Sequence, residues 1–217
     1  MKVLVGCEYS GIVRDAFSLK GWDAWSCDLL PTESELTKAE GKHLQCDVRE
    51  VLGGNWDLLI AHPVCRYLTL RAQYWNRIYN REKEFMESIE FFMLFVNSKI
   101  KKKAIENPVG VMSTLYRRPD QIVQPYYFGD PESKKTCLWL FGLPPLIYEK
   151  TNTLFATKTE VEPNIRIAPN GHRITFSDCI SGKDRDKRRS KTFPGIANAM
   201  AEQWTEYLIN KQYENHL

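Results

Sequence analysis

Short apolar runs that alternate with stretches of helical periodicity are the feature that most limits how this chain can fold. Residues 3–5 form a β-branched run that stops at Gly6, and Ile12, Val13 and Phe17 then follow at helical spacing. Further strands are predicted at residues 22–27, 58–61, 103–105 and 136–141, and helices over residues 81–98 and from about 195 to 210. This alternation predicts an α/β fold with an open, mostly parallel sheet and helices on both faces.

Length and composition favour a single domain. With 217 residues, of which 43% are apolar, the chain can bury one sizeable core, so residues 1–217 are expected to form one domain. No run approaches the roughly 20 apolar residues of a membrane helix, and we expect a soluble, cytoplasmic protein. The formal charge of +3 would tolerate a polyanionic partner without requiring one.

The cysteines do not indicate a metal site. The chain has 6 of them, scattered without a CxxC pair or a close His/Cys spacing, so no metal is expected and the thiols are predicted to be reduced. Their positions are Cys7, Cys27, Cys46, Cys65, Cys137 and Cys179.

Residues 150–192 differ from the rest of the chain. They contain few large apolar side chains and end in the charge run KDRDKRRSK. Two interpretations stay open: a solvated loop or small appendage, and a segment that contacts the substrate.

Chemically competent residues follow the predicted strands. In an open parallel sheet, ligands bind beyond the carboxyl ends of the strands. Those ends carry residues 6–11, Asp28, residues 63–65 and residues 106–107. We therefore expect a site that combines a cysteine thiol, Cys65, with a carboxyl group, Glu106.

The order and spacing of several blocks resemble the DNA cytosine-5 methyltransferases, including compact phage-encoded relatives. The blocks are VGCEYSGIVRDAF, CDVRE, AHPVCRYLT, AIENPVG, FGDPESKKTCLWLFG and FPGIANAMAEQW. The resemblance implies a Rossmann-like S-adenosylmethionine-dependent methyltransferase fold and methylation of cytosine at C5. It also implies DNA as the partner, and the host cytoplasm as the location if the chain is phage-encoded.

The resemblance also assigns residues to the methyl donor. The first loop would receive the methionine part, Asp28 the ribose hydroxyls and Asp47 the adenine amino group, while Pro63 and Asn198 would complete the pocket. The loop residues are Gly6, Cys7, Glu8, Tyr9, Ser10 and Gly11.

For catalysis, the resemblance makes Cys65 the nucleophile that adds to C6. Glu106 would bind N3 and the exocyclic amine of cytosine, and Asn107 would order the nucleophile loop. The chain departs from the family pattern at Arg66, where glutamine is usual, and at Glu132 and Thr136. Arg66 is still expected to contact the substrate. Lys134 or Lys135 would partly replace an arginine that contacts the substrate, without its bidentate geometry.

The sequence indicates the reaction more clearly than it indicates the substrate. Only about forty residues separate the last two blocks, which is short for a module that reads a DNA sequence. Three hypotheses stay open: methylation of cytosine in DNA, the same chemistry on single-stranded nucleic acid or a free cytosine nucleotide, and a catalytically degenerate relative that binds nucleic acid.

Overall fold

The computed structural model describes residues 1–148, 161–171, 173–175, 182 and 185–214. Within this part of the chain, seven strands form one sheet in the order β3-β2-β1-β4-β5-β7-β6. The strands are β1 (Lys2–Gly6), β2 (Asp23–Asp28), β3 (His43–Gln45), β4 (Leu58–Ala61), β5 (Lys103–Pro108), β6 (Gln121–Val123) and β7 (Thr136–Phe141).

The sheet is mostly parallel. Strands β1 to β5 pair in parallel, whereas β7 runs antiparallel to both β5 and β6. This order is that of a Rossmann-like sheet with one reversed strand inserted beside the fifth. The predicted α/β fold with a mostly parallel sheet is therefore confirmed.

The helices connect the strands and cover the sheet. Among the described helices, none is both long and apolar enough to cross a membrane. The helices are α1 (Ile12–Leu19), α2 (Glu35–Glu40), α3 (Val48–Val51), α4 (Leu70–Ile78), α5 (Glu82–Val96), α6 (Met112–Leu115), α7 (Arg185–Ser190) and α8 (Pro194–Glu214), with a 3₁₀ turn at Pro125–Phe128.

Both faces of the central strands are buried. Successive side chains of a strand point to opposite faces, so Val3 packs in a core with Phe17 and Trp204, while Leu4 packs in a second core with Phe92. The first core lies under α1 and α8, and the second under α5. This arrangement explains why the central strands read as uninterrupted apolar runs.

Strand β5 is longer than the sequence predicts. Its apolar run stops before Glu106, but the strand continues to Pro108 because β7 pairs with it throughout. Glu106 lies opposite Leu138, and Asn107 opposite Cys137. Two predicted site residues therefore stand on a paired strand and not in the loop after it.

The predicted substrate-contacting segment, residues 150–192, is described only in part. It includes an antiparallel pair, β8 (Ile165–Ile167) and β9 (Arg173–Thr175), and helix α7. Residues 150–160, 172, 176–181 and 183–184 lie outside the described residues.

Substitution of Gly195 by alanine should lower the stability of the fold. An added Cβ would overlap the Phe128 carbonyl oxygen, and Asp130 accepts a 2.7 Å hydrogen bond from the Gly195 amide at the same point. Overpacking of this kind costs about 1–3 kcal/mol, and each kcal/mol lowers Tm by about 2–4 °C in a chain of this size. Thermal unfolding followed by circular dichroism measures the loss.

The matched control is Gly53→Ala, because an added Cβ at Gly53 meets no atom within 4 Å. Equal Tm values for the two variants would contradict the steric explanation.

Candidate active site

The site lies where the carboxyl ends of β1, β4 and β5 meet. The side-chain amide of Asn107 donates a 2.8 Å hydrogen bond to the Pro63 carbonyl oxygen, so the end of β5 holds the loop that carries Cys65. The His62 amide donates to the Gly6 carbonyl oxygen at 3.0 Å and joins the same loop to β1. Asn107 is buried, and its bond to the loop is therefore protected from water.

A buried His62–Glu106 pair lies at the centre of this edge. His62 Nδ1 is 2.8 Å from Glu106 Oε2, and the two side chains are only 8% and 11% exposed. Burial alone would lower the pKa of His62, but the hydrogen bond and negative charge of Glu106, together with the charge of Glu8, outweigh burial and raise it. Burial would likewise raise the pKa of Glu106, but His62 and then Lys134 lower it. Both groups therefore favour their charged forms.

His62 was not among the residues expected at the site. His62 directly follows β4 and precedes Pro63, so the sequence alone could have placed it at the ligand edge, the edge of the sheet where the carboxyl ends of β1, β4 and β5 meet. Its Nε2 atom is buried and has no hydrogen-bond partner among the described residues. A buried polar atom without a partner is uncommon in a folded protein and typical of functional sites.

Cys65 lies in the loop after β4 and is partly exposed. Burial and then the charge of Glu106 raise the pKa of its thiol, while Lys134 and Arg189 act in the opposite direction. Without a substrate the thiol is therefore protonated at neutral pH. A nucleophilic step at Cys65 requires a positive charge or a proton acceptor to be brought closer.

The predicted substrate-binding cations occupy different surroundings. Lys134 acts electrostatically on Glu106 and Cys65, and its ammonium group donates to the Arg189 carbonyl oxygen at 2.9 Å. Arg66 and Lys135 are exposed, and the Arg66 guanidinium lies 5.8 Å from the Tyr67 ring centroid. The structure therefore brings only Lys134 of these three to the His62–Glu106 pair.

A small cavity separates Glu106 from helix α8. Its volume is about 10 Å³, which is the space of a single water molecule. Its lining is formed by Glu106, Lys134, Thr136, Thr192, Phe193 and Ile196. A ligand the size of a six-membered ring would need more room, and it could lie beside Glu106 only if residues of this lining, such as Thr192 and Phe193, moved.

Glu8, in the first loop, caps the start of α1. Its carboxylate accepts hydrogen bonds from the amides of Val13 at 2.7 Å and Arg14 at 3.1 Å. The positive end of this helix, which binds phosphate in many Rossmann-like proteins, is thus occupied by the protein's own carboxylate. A direct contact between this carboxylate and a donor stays a prediction.

The rest of the first loop makes a tight turn. Cys7 has a φ of 60° and Gly11 a φ of 75°, both in the left-handed region that is unfavourable for residues with a side chain. Strain of this kind at a non-glycine residue is typical of ligand-binding turns. Tyr9 and Ser10 are buried, and the Tyr9 hydroxyl donates to the Lys187 carbonyl oxygen of α7.

The two aspartates predicted to bind the methyl donor differ in how far their carboxylate oxygens are already hydrogen-bonded within the protein. Asp28, at the end of β2, accepts one hydrogen bond from the Leu30 amide at 2.9 Å, and burial raises its pKa. Asp47 is the N-cap of α3, and both its oxygens are taken by the backbone and side chain of Arg49, which lower its pKa.

Asn198 lies exposed at the start of the second turn of α8, and its side chain makes no hydrogen bond to another described residue. Its proposed part in the donor pocket stays a prediction.

Helix α7 lies across the ligand edge. Glu33 forms ion pairs with Lys187 at 2.6 Å and with Lys191 at 2.5 Å. Together with the contacts of Tyr9 and Lys134, these bonds join α7 and the residue after it to three loops, those that follow β1 and β2 and the one that precedes β7. The helix thus limits access from one side.

The fold and site define a Rossmann-like α/β protein with a cysteine and a buried histidine–glutamate pair at its ligand edge. The chain matches no protein-family model, and no curated protein matches it. The function proposed below therefore follows from the sequence pattern and the site geometry.

The His62–Glu106 pair should stabilise the fold most between about pH 4.5 and 6.5, the ordinary pKa values of the two groups. The lowered pKa of Glu106 gives a contribution that is present above pH 4.5 and lost as the pH falls through the lowered value. The raised pKa of His62 gives a contribution that is present below pH 6.5 and lost as the pH rises through the raised value. The Tm difference between the unmodified protein and Glu106→Gln is the measurement.

This difference should be largest inside the window and shrink on both sides of it. A difference that stays constant across the acidic and alkaline ranges would show that the pair is not ionised in the folded protein.

Proposed function

We propose that the protein methylates carbon 5 of cytosine in nucleic acid, with S-adenosylmethionine as the methyl donor and Cys65 as the nucleophile. The observation that carries this proposal is the meeting of Cys65, Glu106 and Asn107 at one sheet edge. Asn107 binds the Cys65 loop directly, and the charge of Glu106 acts on the Cys65 thiol. The same three residues occupy the matching positions in the resemblance to DNA cytosine-5 methyltransferases.

A donor without phosphate groups fits the first loop. Because Glu8 already caps α1, a pyrophosphate would meet a carboxylate where a dinucleotide usually finds free amides. Asp28 retains acceptor capacity for the ribose hydroxyls. Asp47 would have to share or release its bonds with Arg49 to accept from the adenine amino group. When bound, S-adenosylmethionine supplies an activated methyl group on a positively charged sulfur, a charge that suits this acidic edge.

The chain's own residues account for the remaining steps. The Cys65 thiol first gives its proton to an acceptor that arrives with the substrate, such as a water molecule, and the sulfur then forms a bond to C6 of cytosine. The electron pair of the C5–C6 double bond that this displaces activates C5, and negative charge collects at N3 beside Glu106. After C5 has been methylated, a base held in the site, such as water, removes the C5 proton. The bond between sulfur and C6 then breaks, and the thiolate and the aromatic ring are restored.

His62 provides a source for the proton that Glu106 would donate to N3 of cytosine. The lowered pKa of Glu106 leaves its carboxylate ionised at neutral pH, so a proton for N3 must reach it from another group. The proton between His62 Nδ1 and Glu106 Oε2 is the nearest source among the described residues. His62 thus acts through Glu106, as a positioning residue that also holds the proton.

A second candidate is a catalytically inactive protein that binds nucleic acid. It is favoured by the raised pKa of the Cys65 thiol and by the outward positions of Arg66 and Lys135. The two candidates differ in whether a bond between Cys65 and the base can form.

The nucleophile can be tested with oligonucleotides that contain 5-fluorocytosine. The fluorine at C5 cannot leave as a proton does, so the protein with its donor should give a denaturation-resistant adduct, and Cys65→Ser should give none. Methyl transfer to ordinary cytosine should fall by about a thousandfold or more in Cys65→Ser. Gel electrophoresis and transfer of a radioactive methyl group are the two measurements.

Calorimetry with S-adenosylmethionine provides the control, because Cys65→Ser should bind the donor as the unmodified protein does. Full methyl transfer by Cys65→Ser would refute the proposal. Oligonucleotide binding without an adduct in the unmodified protein would establish the inactive candidate instead.

Donor binding has a separate test at Asp28. Removal of a charged hydrogen-bond acceptor costs about 1.5–3 kcal/mol, so Asp28→Ala should weaken S-adenosylmethionine binding by about tenfold or more. The matched control is Asp57→Ala, since Asp57 binds the Lys2 amide at the opposite edge of the sheet. Calorimetric Kd values that are equal for both variants would remove Asp28 from the donor site.

A further inference from the structure

Helix α4 exposes aromatic rings to solvent. Tyr74, Trp75 and Tyr79 are 65%, 41% and 57% exposed. The ring of Trp75 stacks on that of Tyr79 with 5.8 Å between centroids and 18° between planes, and Tyr74 meets Trp75 edge-on. Three large rings in contact with one another on a surface are typical of an interaction site.

Helix α4 turns polar side chains towards the protein and aromatic side chains towards solvent, which is the opposite of an ordinary surface helix. Its inner side carries Gln73 and Asn76, whose side-chain amides both donate to the Tyr67 carbonyl oxygen at 2.9 Å. Asn76 is buried, while the rings face outward. Burial of apolar area would favour the opposite orientation, so the fold itself gives no reason for these rings to be exposed.

The segment that carries the rings has charges of one sign only. Residues 66–81 contain arginines and no acidic residue. Arg81 lies 4.8 Å from the Tyr79 ring centroid. Among the described residues, no carboxylate lies within ion-pair distance of these guanidinium groups, which are those of Arg66, Arg71, Arg77 and Arg81. We call the three rings and four arginines together the α4 surface.

The α4 surface is continuous with the nucleophile loop. The chain runs from Cys65 through one turn, closed by the hydrogen bond from the Leu68 amide to the Cys65 carbonyl oxygen, into the helix. Thr69 pairs with Gly110, just beyond the end of β5 that carries Glu106. A ligand on α4 therefore lies next to the proposed catalytic residues.

We propose that the α4 surface binds single-stranded nucleic acid, with bases stacked on Trp75 and Tyr79 and phosphates held by the arginines. Unpaired bases offer faces that can stack on aromatic rings, whereas the bases of a duplex are already stacked on one another. Arginine supplies both phosphate contacts and stacking. That a bound strand presents a cytosine to Cys65 rests on the proposed function, whereas the binding of a single strand to the α4 surface does not.

A second copy of the chain suits this surface less well. A two-fold contact centred on α4 would set the four arginines of one copy against the same four of the other, and residues 66–81 supply no acidic residue to pair with them. Like charges across an interface oppose association. The charge of the surface is complementary to a polyanion.

Fluorescence anisotropy with a labelled single strand, and with a hairpin duplex of the same sequence, tests the proposal without any donor. Trp75→Ala and Tyr79→Ala should each weaken binding of the single strand by about tenfold, because each removes one stacked base. Duplex binding should change much less. Tyr213→Ala is the matched control, since Tyr213 is 69% exposed on α8.

The contribution of the arginines can be measured separately, from the salt dependence of single-strand binding. Arg71→Ala and Arg77→Ala should each reduce the slope of log K against log salt by about 0.7, the value for one phosphate contact with a single strand. Lys20→Ala, an exposed charge beyond the end of α1, should leave the slope unchanged. Circular dichroism verifies that all variants fold.

Several results would overturn the proposal. These are single-strand binding that Trp75→Ala and Tyr79→Ala leave intact, binding of anionic lipid vesicles in place of oligonucleotides, or a dimer that Trp75→Ala disperses. The proposed function fails separately: Trp75-dependent binding without methyl transfer or a 5-fluorocytosine adduct would refute the catalysis and leave the α4 surface standing.

Discussion

Burial of the central strands on both faces is the constraint on which the rest of this structure depends. Strands β1 and β4 have helices above and below, so their side chains are apolar and polar groups appear only where the strands end. Because the first five strands are parallel, those ends meet at one edge. The core thereby decides where chemistry can occur, and the same packing holds Glu106 and Asn107 on the rigid strand β5.

Hydrogen bonds within the protein then determine what this edge can bind. Glu8 satisfies the first amides of α1 and removes the usual phosphate site, while Asn107 ties the Cys65 loop to β5. His62 and Glu106 share a proton in a buried environment, where their mutual contact, with help from the charges of Lys134 and Glu8, keeps both groups ionised. In the proposed function, these bonds would suit a phosphate-free, positively charged donor and a base that accepts charge at N3.

Hydrogen bonds within the protein also determine which side of α4 faces solvent. The bonds from Gln73 and Asn76 to the Tyr67 carbonyl oxygen orient the helix by its polar side and leave Trp75 and Tyr79 exposed. The bonds that join α4 to the segment after Cys65 therefore also leave the rings exposed. If the α4 surface binds a single strand as proposed, no long recognition module is needed, which agrees with the short region between the last two sequence blocks.

The sequence by itself determined the alternation of strands and helices, since apolar periodicity is a local property of the chain. Strand β7 lies at Thr136–Phe141, as the apolar run predicts, and Cys65, Glu106 and Asn107 all follow or end predicted strands. The extension of β5 to Pro108 could not be predicted, because it depends on pairing with β7, which is distant in the sequence. The same holds for the contact of His62 with Glu106, for Glu8 as a helix cap and for the outward rings of α4. Hydrogen-bond partners and the direction of a side chain are decided by neighbours in space, and only the tertiary structure brings those neighbours together.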